Sequence, residues 1–194
     1  MQKMKIGISF FGILTLGSLL LTRSYLALAA LLAAAMHESG HLLAARMRSI
    51  KIKELRIDVF GALISTRGEL SSYLDELILA AGGPTVNLIT ALLLFLTGAA
   101  VLPFGRLLLI SSLFLSLLNL MPVRELDGGR MLRCVLCQRL PLRLCEGICD
   151  TLSFCFISVL WLLSVYLLLT RSASLSLFVF SAFLFCRIFL RQKN

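Results

Sequence analysis

The sequence predicts an all-α polytopic membrane protein of about six transmembrane helices, with a short membrane-associated β-like segment near residues 50–65. Three observations carry this. Hydrophobic residues make up 59% of the 194 and charged residues only 15%, where a soluble domain has about half and about a quarter. The mean hydropathy is +0.95. The apolar residues are gathered into windows of bilayer length, with the basic residues clustered between alternate windows.

The windows run 6–22, 25–45, 77–102, 107–121, 152–170 and 175–190. The first follows Lys3 and Lys5 in the manner of a signal peptide, but cleavage there would cut into the Ala-rich run that leads to His37, so it reads as a span. The remaining length leaves little for a separate soluble domain, and 1–194 reads as a single domain.

The net charge of +9 would suit a nucleic-acid partner, but its placement accounts for it without one, and none is expected. With a cytoplasmic N-terminus, one side holds Lys3 and Lys5; Arg46, Arg48, Lys51, Lys53, Arg56 and Arg67; Arg124, Arg130, Arg133, Arg139 and Arg143; and Arg187, Arg191 and Lys193. Arg23, Arg106 and Arg171 are left on the other. This is the positive-inside bias of a protein whose partner is the lipid bilayer, and it puts both termini in the cytoplasm.

The second window contains AAAMHESGHLLAA, with His37 and His41 the only histidines in the chain. On a helix they lie one turn apart on one face, able to offer two nitrogens to one zinc ion, with Glu38 placed to take a proton from water. Two buried, hydrogen-bonded histidines are the plain alternative. On composition alone, the only two histidines fall four apart with Glu after the first roughly once in a few thousand. A catalytic zinc needs a third protein donor. Asp127, in NLMPVRELDGGR at the end of the fourth window, is the best candidate because it faces the same side; Glu125 is its rival. Asp58, Glu69, Asp75 and Glu76 read as a solvated surface.

The third window is interrupted at AAGGPTVNLITA. Pro84 removes a backbone hydrogen bond and predicts a kink, while Gly82 and Gly83 permit close helix approach. Asn87 reads as a substrate-binding or oxyanion group rather than packing glue. In 50–65, IKIKELRIDVFGALIS alternates in strand fashion, with Gly61 as a turn, and offers an edge for an unwound substrate. The cysteines Cys134, Cys137, Cys145 and Cys149 fall in a cytoplasmic loop, where a reducing compartment argues against disulfides, and their short spacing favours interface filler over a second zinc site.

HESGH, GGPTVN and N-x-x-P-x-x-x-LDGGR, in that order, resemble the site-2 protease family of intramembrane zinc metalloproteases. The six-span layout most resembles the bacterial stage IV sporulation protein FB type. The resemblance implies one zinc per chain held by His37, His41 and Asp127, with Glu38 as catalytic acid–base. It also implies substrate-binding or supporting roles for Asn87, Pro84 and Asn119. It implies hydrolysis of a peptide bond in or near the transmembrane segment of a membrane-bound protein, in a bacterial cell membrane. The substrate in a sporulating cell would be a tethered transcription-factor precursor. Against the pattern of that family, no PDZ or CBS domain is expected here, and Arg124 and Glu125 fall within the last motif; a separate inhibitory membrane protein is a partner the resemblance allows. A prenyl-protein endopeptidase would take a Glu from a later helix, away from LDGG. A transporter would repeat its ligands across several spans, and a silent scaffold would not need Glu38.

Overall fold

The computed structural model describes residues 5–8, 24–50, 52–58, 61–66, 72–171, 179, 181–182 and 184–185. The chain divides into two compact units, Met1–Asn119 and Leu120–Asn194.

The first unit contains β1 (Lys5–Ile8), α1 (Tyr25–Met47), β2 (Ile52–Asp58), β3 (Gly61–Thr66), α2 (Tyr73–Leu96) and α3 (Pro103–Asn119). The strands form one sheet in the order β1–β2–β3. β1 runs parallel to β2, with Lys5 opposite Glu54, and β2 runs antiparallel to β3, with Asp58 opposite Gly61. The first apolar window therefore opens as a strand, not as the helix its length predicts; its remainder lies outside the described residues. Lys5–Ile8 is short and Ile-containing, and β2 offers it a ladder of backbone partners.

Among the described residues, α1, α2 and residues 142–170 are long and apolar enough to cross a membrane, and Pro103–Asn119 is a shorter apolar helix. Of the last window, only residues 179, 181–182 and 184–185 are described, and they are helical.

Local signals set the helix ends. Ser24 caps α1 by accepting a hydrogen bond from the Leu26 N–H, and Ser72 caps α2 by accepting from Leu74, each worth about 1 kcal/mol. Asp75 and Glu76 sit in the first turn of α2, where the helix dipole favours acids. Gly98 closes that helix in a left-handed conformation, φ 70°. Pro84 lies inside α2, which continues through it from Tyr73 to Leu96.

Small residues face inward and large ones outward, the reverse of a soluble core. On α1 the buried positions include Ala29, Ala33, His37, Gly40, His41 and Ala44, while Leu26, Leu28, Leu32 and Leu43 are exposed. With lipid as solvent, exposing leucine costs nothing and close backbone packing stabilises instead. Gly40 and Gly82 mark the crossing of α1 and α2: a Cβ on Gly82 would lie 2.5 Å from the Gly40 carbonyl oxygen. Leu108 of α3 packs against Ala29 and Ala33, and Ser116 Oγ donates to the Pro84 carbonyl at 3.1 Å.

The second unit contains α4 (Asp127–Cys137) and α5 (Leu142–Arg171), preceded by the segment Leu120–Leu126. Val123, Ile157 and Leu184 form its buried apolar cluster. Cys137 and Cys145 are disulfide-bonded, with Cα atoms 5.4 Å apart, which corrects the expectation that this loop holds only free thiols. The four-residue connection between α4 and α5 brings the two helix ends within bridging range. Cys134, Cys149 and Cys155 carry no disulfide.

The helix crossing makes a testable demand. Gly82→Leu forces side-chain atoms into the Gly40 backbone and lowers the thermal midpoint of the detergent-purified protein, by the equivalent of about 3 kcal/mol or more. Leu93→Ala, at a 55% exposed position, leaves it within about 0.5 kcal/mol. Thermal unfolding followed by circular dichroism compares the two.

Candidate metal centre

The i, i+4 spacing on α1 places His37 and His41 on one face, both buried, with ring centroids 4.9 Å apart and ring planes near perpendicular. Their Nε2 atoms lie 3.2 Å apart. Each rear nitrogen meets α2. His41 Nδ1–H donates to the Leu79 carbonyl at 2.7 Å, in the turn just before Pro84, which fixes the tautomer with the lone pair on Nε2.

At His37, the Asn87 Nδ2 lies 3.3 Å from Nδ1, while Asn87 Oδ1 is buried with no hydrogen-bond partner among the described residues. The two ends of an amide have the same shape, and their assignment follows from the hydrogen bonds they make. Exchanging them lets Nδ1–H donate to Oδ1 and puts the His37 lone pair on Nε2, while the partnerless end of the amide becomes Nδ2.

With the amide as placed, His37 Nε2–H donates to the His41 Nε2 lone pair at 3.2 Å; with it exchanged, both lone pairs face the gap and can bind one cation. Two nitrogens bound at about 2.0–2.1 Å to one tetrahedral zinc lie about 3.3–3.4 Å apart, so the pair fits zinc as it stands. Gly83 provides the room: a Cβ there would lie 2.5 Å from His41 Nε2 and 2.6 Å from His37 Nε2. Glu38, next to His37, is half-buried with Oε2 shut off from solvent.

The structure gives the other sequence-derived candidates these places. Pro84 is buried in α2, its carbonyl accepting from Ser116. Asn119 Nδ2 donates to the Leu115 carbonyl at 3.0 Å, at the end of α3. Asp127 is the first residue of α4 and is buried, with Arg130 one turn on at 3.9 Å. Glu125 has its Oε2 buried without a hydrogen-bond partner among the described residues. Asp75 is a correction: instead of a solvated surface acid it is buried and ion-paired to Arg48, 2.6 Å away. The pairing clips the C-terminal end of α1 to the first turn of α2. It joins residues 27 apart in sequence, so no local pattern announces it.

Known proteins resemble this chain both in its fold and in the stretch that carries the histidine pair. Residues 25–105 match the family model for Peptidase family M50, a stretch that carries HESGH and GGPTVN and ends before Asp127. The fold is that of the site-2 protease from Methanocaldococcus jannaschii, with a TM-score of 0.71 and 20% identity over 97% of this chain and 90% of that one. A Synechocystis sp. protein named "Putative zinc metalloprotease" is 33% identical over 108 residues, 53% of this chain and 28% of its own length. "Putative zinc metalloprotease Rip3" of Mycobacterium tuberculosis is 32% identical over 121 residues, 58% of this chain and 30% of its own. The chain thus matches less than a third of either relative's length.

If Gly83 is there to admit the imidazoles, Gly83→Ala weakens zinc binding by at least tenfold while helix content stays within a few per cent of wild type. Chelator competition on the purified protein reads the first and circular dichroism the second; an unchanged zinc affinity contradicts the role given to Gly83.

Proposed function

We propose that the chain is a zinc-dependent intramembrane endopeptidase that cuts a peptide bond in or near the transmembrane segment of a membrane-bound protein. One observation carries the reading: the two Nε2 atoms converge at zinc-binding separation with both rear nitrogens held by α2, and Glu38 follows the first histidine. A bare scaffold has no use for a carboxylate there.

Zinc, when bound, supplies the Lewis acidity that activates water and polarises the scissile carbonyl. His37 and His41 hold it through Nε2. Asp127 is the third ligand in this reading, because catalytic zinc takes three protein donors and Asp127 is a buried carboxylate in the LDGG context. Glu38 takes the proton from the attacking water and delivers it to the leaving amine. Asn87 keeps His37 in the ligating tautomer and, with Pro84 and Asn119, belongs to the surroundings that receive substrate.

A transmembrane helix protects its backbone with its own hydrogen bonds, so the substrate must unwind before water reaches it. β3 has a strand partner on one side only among the described residues, and its free edge suits an unwound chain as an added strand. β1 and β2 share a sheet, which favours a topology with the N-terminus and the 46–75 loop on one side. The basic-residue count makes that side the cytoplasm of a bacterial cell. The six apolar windows of the sequence are what favour a sporulation-type substrate, a membrane-tethered transcription-factor precursor, with a separate membrane protein as inhibitor.

Two measurements test this. Glu38→Gln retains zinc but loses cleavage of a co-expressed membrane substrate by about 10²–10⁴-fold; undiminished cleavage by the zinc-loaded variant rules out the mechanism. Thiol probes placed at Ser72 and Arg106 label from opposite sides of the membrane; labelling of both from outside overturns the topology.

A further inference from the structure

The segment that delivers Asp127 is held by contacts the motif does not require. Arg124 lies three residues before Asp127, with a side chain only 8% exposed and a guanidinium that pairs with both Glu146 and Asp150 of α5. Its backbone N–H donates to Ser153 Oγ at 3.0 Å, and that hydroxyl donates to the Cys149 carbonyl at 2.7 Å. Glu146 also accepts from Arg133 Nε of α4 at 2.9 Å. One carboxylate thus gathers the segment, α4 and α5.

The segment also has no slack against α4. A Cβ on Gly128 would lie 2.2 Å from the Leu120 carbonyl oxygen, and one on Gly129 would lie 2.1 Å from that of Val123. Val123, 2% exposed, is fixed beside Ile157 and Leu184. Asp127, as the first residue of α4, has its backbone set by both sides of this sandwich.

We propose that Arg124 is a positioning residue: by tying the Leu120–Leu126 segment to Glu146, Asp150 and Ser153 it fixes where Asp127 presents its carboxylate. The inference rests on the reading of Asp127 as a zinc ligand. A planar guanidinium can serve two carboxylates at once, which a lysine ammonium does with less geometric definition. A partner that orients a metal ligand is worth about 10–100-fold in metal affinity, and Arg124 acts on Asp127 through the backbone of Glu125 and Leu126 rather than by direct contact.

The test is a double-mutant cycle read as zinc affinity by chelator competition on the full-length, detergent-purified chain, with thermal stability measured in parallel. Arg124→Ala weakens zinc by about tenfold or more, and Arg124→Lys recovers part of the loss. In an Asp127→Asn background, Arg124→Ala produces no further loss, because its effect passes through that carboxylate. An equal loss in both backgrounds, or an affinity within twofold of wild type for Arg124→Ala, overturns the proposal. Wild-type affinity in Asp127→Asn alone is a different result: it removes the ligand assignment on which the proposal rests, whatever Arg124 does. Should Arg124→Ala not fold, Glu146→Gln replaces it, with the same outcomes expected and the same ones excluding it.

Discussion

Two imidazoles in a hydrocarbon-like helix can be tolerated only if all four of their nitrogens are accounted for, and the first unit is arranged around that demand. The rear nitrogen of His41 uses the Leu79 carbonyl and that of His37 uses the Asn87 amide, both on α2. This requires α2 to lie unusually close to α1. The closeness in turn requires Gly40, Gly82 and Gly83, whose missing side chains leave space for a backbone crossing and for two ring nitrogens. Unpaired polar groups are costly in such surroundings, so the packing and the chemistry are one constraint.

The same logic explains why the leucines are outside. Lipid gives no hydrophobic reward for burying them, and alanine, glycine and serine allow the short interaxial distances that dispersion and polar contacts need. Ser116 serves this role by donating to the Pro84 carbonyl. Arg48 and Asp75 close the other end of the helix pair with a partly buried ion pair. Breaking such a pair on one side strands a charge, whereas an exposed pair contributes little.

In the second unit the burden passes from glycine-mediated helix crossing to a short irregular segment. Its turns are made by backbone hydrogen bonds from Val123 to Met121 and from Leu126 to Val123, each 2.8 Å. These are followed at once by the first turn of α4. Irregular backbone is held by what packs against it, and here that is α5, through Ser153, Glu146, Asp150 and Ile157.

The sequence alone determined the membrane character and the long apolar helices. It also determined the shared face of His37 and His41, because hydropathy windows, serine caps and an i, i+4 spacing are local and need only a helix to take effect. Its reading of Gly82 and Gly83 as a point of close approach held for the same reason: a residue without a Cβ means little else in an apolar helix. Tertiary structure decided what depends on partners distant in the chain. Lys5–Ile8 pairs with β2 across more than forty residues, and Asn87 meets His37 across 50. Asp75 is buried by Arg48, and Cys137 meets Cys145. Hydrophobicity and helical period do not encode such pairings, since they record which way a side chain faces and not which other chain segment will be there to meet it.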